Sequence, residues 1–167
     1  MTDEGVPIRS QAKPTLVDHA FRLAYTCAYQ GMRVYWRLAH PETQGALVTL
    51  WSRGEVLLVR NSYVSYYSLP GGYIRRGEAP VDAAIRELTE EIGVSAKADD
   101  LALIFDHTQP WEGKLDHVRI FSLEVATRPE VRVDNREVIE ASWWLPARAL
   151  ALNLFPPLRT ILEERAG

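Results

Sequence analysis

The sequence predicts a layered α/β domain built on a mixed sheet. Three observations carry this: strand-like segments lie on both sides of a central amphipathic helix at 80–92, a long helical pattern precedes them, and a shorter one closes the chain. With 167 residues, the chain has single-domain length and can bury a core without covalent staples.

Residues 1–13 are polar and aperiodic, and a flexible N-terminal tail is expected there. An N-terminal helical segment is expected at 14–41. Leu16, Ala20, Leu23, Cys27, Ala28, Tyr35 and Leu38 recur at three- and four-residue steps, which predicts one amphipathic helix or two, interrupted near Gly31 and stopped by His40-Pro41. Such a helix packs on its own domain or pairs in a homodimer. The main domain is expected at 42–167. Segments 46–51 and 55–60 flank Ser52-Arg53-Gly54 and read as a β-hairpin. Pro70-Gly71-Gly72 is a turn signal, Pro80 suits the first turn of a helix, and Gly93 is placed to end it. Segments 101–105 and 118–125 read as strands separated by a polar loop at 109–114. The stretch 136–145 stops at Pro146, and 157–165 suits a closing helix.

Composition narrows the function. Hydrophobic residues make up 47% and charged residues 25% of the chain, as in ordinary globular proteins. Cys27 is the single cysteine, so neither an internal disulfide nor a thiolate zinc cluster can form within the chain, which suits a reducing cytoplasm. The N-terminus lacks the basic region and apolar run of a secretory signal, and no stretch approaches the length of a membrane span. A net charge of −3 gives no electrostatic reason for nonspecific nucleic-acid binding.

The chemistry sits on the helix at 80–92. At about 100° per residue, with Glu87 at zero, Glu90 falls near −60° and Glu91 near +40°, so three carboxylates share one face. Val81, Ile85, Leu88 and Ile92 form a separate apolar stripe. Like charges at these spacings destabilise a helix by roughly 0.2–0.5 kcal/mol per pair, and Arg86 offsets only part of this. A solvated acidic face is the plain reading. The Gly-Gly turn just upstream, Glu78 at the helix start and the interleaved Arg86 favour instead an oxygen-ligand site for Mg²⁺ or Mn²⁺ beside a diphosphate.

Gly72, Glu78 after five intervening residues, and Arg86-Glu87-Leu88-Thr89-Glu90-Glu91-Ile92-Gly93-Val94 after seven more match the pattern G-x5-E-x7-R-E-U-x-E-E-x-G-U, where U is aliphatic. This run resembles the signature of the Nudix hydrolases without a gap or substitution. The resemblance implies a Nudix-type α/β/α sandwich, MutT-like, carrying an N-terminal helical extension. It implies Mg²⁺-dependent hydrolysis of a nucleoside diphosphate derivative, NDP-X and water giving NMP and phospho-X; a non-catalytic nucleotide-binding or regulatory module on the same fold is the alternative. Carried over by position, Glu87, Glu90 and Glu91 are metal ligands with the Gly72 carbonyl, Arg86 orients the carboxylates, and Glu78 assists the metal site or holds Arg86. Ala79 stands where many relatives place a Ser or Thr cap. Glu137 resembles an acidic position that many relatives carry before their last strand and is a candidate general base. Gly71, Gly72, Arg75, Arg76 and Tyr67 are candidate substrate contacts. Tyr66, Tyr73 and Trp111 are further rings able to stack on a base. His19, His40, His107 and His117 show no close-paired metal spacing.

Overall fold

The structure is a computed structural model that describes residues 5–8 and 13–167. Its elements run α1 (Leu16–Ala39), β1 (Glu42–Ser52), β2 (Glu55–Asn61), β3 (Gly71–Tyr73), α2 (Pro80–Ile92), a 3₁₀ turn (Ala98–Asp100), β4 (Ala102–Trp111), β5 (Lys114–Glu124), β6 (Val138–Trp144), α3 (Pro146–Ala149) and α4 (Pro156–Ala166). The sheet order is β4-β5-β1-β2-β6, and β3 pairs with β1 off that path. β1 runs parallel to β5 from Glu42–Leu115 to Trp51–Glu124, while the other pairings are antiparallel, so the sheet is mixed as expected.

Side-chain alternation along the strands divides the core in two. Ala46, Val48 and Leu50 of β1, Leu57 and Val59 of β2, and Phe121 and Leu123 of β5 pack with Ala83, Ala84, Leu88 and Ile92 of α2. The intervening residues Trp51, Val56, Leu58, Val118 and Ile120 pack with Leu158, Ile161 and Leu162 of α4. Strand residues on both parities are apolar because both sheet faces are covered. That is the three-layer sandwich.

One local reading is decided between its two alternatives, and three others differ from the sequence expectations. α1 is one continuous helix, because a Gly at position 31 costs only about 1 kcal/mol against Ala and a capping box between Thr15 and Asp18 fixes the start. The polar loop expected at 109–114 is a hairpin: β4 continues to Trp111 and turns at Glu112-Gly113, where both φ angles are positive, at 51° and 94°. Pro110 is tolerated there because β4 is an edge strand. Residues 146–149 form a short helix after β6. Of the segment expected as a tail, residues 1–4 and 9–12 lie outside those described. Gly5 donates its N–H to the Trp143 carbonyl, and Ile8 exchanges backbone hydrogen bonds with Ala141, so this part runs along the open edge of β6. No helix among the described residues is long and apolar enough to cross a membrane.

Candidate active site

The site begins with two glycines that no other residue can replace without movement. In β3, Gly71 pairs with Leu47 and Gly72 with Ala46. A Cβ on Gly71 would stand 2.4 Å from the Ala46 carbonyl oxygen and 2.6 Å from the Leu47 Cα, and its φ of 148° is unfavourable for a side chain. A Cβ on Gly72 would stand 2.7 Å from Glu87 Cδ. The bare backbone thus lets β3 fit between β1 and α2, and lets the α2 carboxylates reach the main chain.

Arg86 organises the acidic residues. Its guanidinium donates to both Glu78 oxygens at 2.7 and 3.0 Å, to Glu87 Oε1 at 2.5 Å, to Glu90 Oε2 at 3.2 Å and to the Tyr73 carbonyl at 3.1 Å. Bonds from Arg86, and then from the Arg75 N–H, hold the Glu78 carboxyl down at about 2. The same Glu78 pairing raises Arg86 above its ordinary value.

Glu91 accepts the Gly71 N–H at 2.8 Å. Removal from water nonetheless pushes its carboxyl well above the usual range, and the charges of Glu137, Glu87 and Asp134 add to this. Glu87 lies against Gly72 with only 16% of its side chain exposed, whereas Glu90 is 53% exposed and extends toward Arg86 and Arg75. Among the described residues, no three acidic, imidazole or thiolate groups stand together as a preformed metal cluster: Glu90 turns toward Arg86 and Arg75, and Glu87 toward Arg86 and Gly72. Sharing a helix face fixes Cα positions only. The side-chain rotamers follow the nearest cation, and that is Arg86.

The two glycines also line a cavity of about 290 Å³. Tyr66, Trp111 and Phe155 form an aromatic cluster in its wall, with Trp111 and Phe155 centroids 5.6 Å apart. Glu137 also lines it. Burial raises the Glu137 carboxyl, although the Tyr63 hydroxyl donates to it at 2.9 Å. Lys114 and Asp116, both buried, form a 3.1 Å ion pair in the wall.

The structure separates the remaining candidates. Tyr73 lines the cavity with Tyr66 and Trp111. Tyr67 is absent from its lining, and its hydroxyl donates to Glu140 at 2.9 Å. Arg75 reaches Glu90 at 3.5 Å, and Arg76 is exposed outside the cavity. Of the histidines, His117 pairs with Asp106 on the outer hairpin. Sequence reasoning missed Tyr29, Trp36, Lys114 and Asp116. Tyr25, Tyr29, Met32 and Trp36 are spaced by four, three and four, a helical signal that was legible. Lys114 and Asp116 were hidden by the misplaced loop.

Comparison with known proteins places this geometry in a family. A family model described as the NUDIX domain matches residues 41–164. A Bacillus subtilis protein provisionally named an 8-oxo-dGTP diphosphatase is 32% identical over 115 residues, covering 68% of this chain and 73% of that protein. An NAD-capped RNA hydrolase of Erwinia tasmaniensis is 25% identical over 149 residues, covering 87% of this chain but only 53% of its own length. Among solved structures, a MutT NUDIX hydrolase from Burkholderia pseudomallei superposes with a TM-score of 0.64 at 21% identity, covering 73% of this chain and 96% of that one. The last likeness speaks for the fold alone, whereas the family model spans most of the chain and includes every residue of the acidic signature. This chain belongs to the NUDIX domain family.

Proposed function

We propose that the chain hydrolyses a diphosphate linkage in a nucleoside diphosphate derivative, NDP-X and water giving NMP and phospho-X, with Mg²⁺ or Mn²⁺ as its cofactor. The observation that carries this is the double use of Gly71 and Gly72. Their backbone meets Glu91 and Glu87 and also lines an aromatic cavity. A diphosphate lying along the glycines would have its anionic part at the carboxylate helix and its nucleoside among the rings.

The donor chemistry fits a hard divalent cation. Glu87, Glu90, Glu91 and the Gly72 carbonyl are all oxygen donors, and burial, followed by the charges of Glu137, Glu87 and Asp134, raises the Glu91 carboxyl, a penalty that a cation beside it would offset. Mg²⁺ bound there supplies positive charge for the phosphate oxygens and acidity for the attacking water. Arg86 is a positioning residue, fixed by Glu78 and sharing its donors between Glu87 and Glu90. Arg75, already near Glu90, is placed to follow that carboxylate and meet a phosphate; Arg76 stands further out in solvent. Glu137 is the candidate proton acceptor. It lines the cavity, and burial raises its proton affinity toward the range that serves a general base. Water attacks one phosphorus in line, the bridging oxygen leaves with the other phosphate, and the water proton passes to the base.

Incubation of the protein and Mg²⁺ with ADP-ribose, a nucleotide sugar, a dinucleoside polyphosphate and an oxidised nucleoside triphosphate, with products read by mass spectrometry, tests this reading. At least one is expected to yield a mononucleotide product. Glu90→Gln and Glu91→Gln are expected to lower that turnover by more than the ~10–100-fold typical of losing an outer partner of a metal site. Full Mg²⁺-dependent turnover in both variants would falsify the assignment.

A further inference from the structure

One side of the cavity is built by α1, and α1 lies outside the residues matched by the family model. Tyr25, Ala28, Tyr29, Met32 and Trp36 all line it, following one another at helical spacing. Trp36 alone of these is fully buried, so the stripe faces the cavity rather than a closed core. The Trp36 Nε1 is buried without a hydrogen-bond partner among the described residues.

The helix is tied along its length. Near its start Arg136 pairs with Asp18 at 3.0 Å and stacks 4.5 Å from the Phe21 ring centre, and Arg22 donates to the Asn135 carbonyl at 2.7 Å. From its middle the Tyr29 hydroxyl donates to Glu112 at 2.5 Å, and near its end Lys114 Nζ stands 4.7 Å from the Trp36 ring centre. The Gly113 backbone meets Arg37 so closely that a Cβ would come 3.1 Å from its Cα. α1 therefore spans the cavity from the segment that carries Glu137 to the β4–β5 turn.

We propose that α1 is the specificity wall of this site: Tyr29 and Trp36 hold the base of a single mononucleotide derivative beneath the helix, and the helix excludes RNA-linked substrates. The proposal rests on the reading above that the cavity receives the nucleoside. At about 290 Å³ the cavity is at the small end of ligand pockets, which run from about 300 to 1,000 Å³, a size that suits one nucleoside rather than several linked nucleotides. Tyr29 and Trp36 of α1 line the same cavity as Tyr66, Trp111 and Phe155, and such rings suit a flat base; stacking on them strengthens binding by about ten- to a hundredfold per base.

The test is calorimetric binding of the α,β-methylene analogues of ADP and GDP, which resist hydrolysis, in the presence of Mg²⁺. Trp36→Ala and Tyr29→Ala are expected to weaken the tighter analogue about tenfold. Ala28→Trp should weaken it at least as much, and because Ala28 is exposed on the cavity wall this variant requires no core rearrangement. Leu23→Ala, on the outward face at 65% exposure, should stay within twofold of the parent. A 5′-triphosphorylated RNA oligomer is expected to be turned over at least tenfold less efficiently than the best mononucleotide derivative. The proposal is overturned if neither analogue binds the parent protein, if the three inward variants match Leu23→Ala, or if the RNA oligomer is turned over as well as the mononucleotide. Analogue binding that responds as expected without cleavage of any diphosphate would leave the wall standing and remove the hydrolase. Cleavage with a KM indifferent to the inward variants would do the reverse.

Discussion

At the residue scale, the acidic signature was legible because its geometry is local. Glu78, Arg86, Glu87, Glu90 and Glu91 belong to one helix and the turn before it, so spacing alone brings them together. What spacing could not show was how Arg86 divides its five donors, and so which carboxylates it draws away from the glycines. The glycines themselves yield a stability prediction. Gly71→Ala must relieve a 2.4 Å contact with the Ala46 backbone oxygen and adopt an unfavourable φ, at a cost of about 1–3 kcal/mol or more. Urea unfolding should show a lower midpoint for it than for Gly54→Ala, where the added Cβ meets nothing within 4 Å. Equal midpoints would mean that β3 is not held as closely as described.

Asp18 gives a pH prediction at the same scale. The Thr15 N–H, then Arg136 and the Thr15 hydroxyl, lower its carboxyl from 3.8 to about 2. The folded pKa is depressed, so the stabilisation is fully present above about 3.8 and is lost as the pH falls toward 2. Protection of α1 amides from hydrogen exchange should fall through that window more steeply in the parent than in Asp18→Asn, which has no carboxyl to protonate. Identical slopes would place the acid sensitivity elsewhere.

At the element scale, α2 was read correctly to both ends, since Pro80 and Gly93 punctuate it in the sequence. Its start carries a defect that the structure makes concrete: Ala79 is the N-cap and offers no side-chain hydrogen bond. Ala79→Ser should supply an acceptor for a first-turn N–H and raise stability by about 0.5–2 kcal/mol, read as a higher thermal midpoint. A midpoint at or below that of the parent would show that the first turn is already satisfied. α1 was read less well, for an instructive reason. The leucines picked out by periodicity are on its outward side, with Leu16 at 88% and Leu38 at 79% exposure, while Tyr25, Tyr29 and Trp36 face the cavity. Periodicity reports that a helix has two faces. Which one turns inward is decided by tertiary partners such as Glu112, Lys114 and Arg136, which lie about eighty or more residues away in sequence.

At the scale of the whole molecule, the sheet with α2 and α4 forms two apolar cores, and α1 shares in neither. It is attached by ion pairs, hydrogen bonds and ring contacts along its length, and only Asp18 and Trp36 among its residues are buried. Contacts between partly exposed charges contribute roughly 0–1 kcal/mol each, well below the roughly 1.5–3 kcal/mol gained by fully burying a large apolar side chain. The helix should therefore separate from the domain in a partial opening that costs less than global unfolding. Native-state hydrogen exchange is expected to show α1 amides exchanging through such an opening, while amides of β1 and β5, which are paired over ten residues between the two cores, exchange only on global unfolding. Because both its ties and its aromatic wall are met from the cavity side, a bound mononucleotide analogue should slow the α1 amides more than those of β1 and β5. If α1 and the sheet instead exchanged as one unit, with or without nucleotide, the helix would be an integral layer of the fold and its contacts would be stronger than their exposure implies.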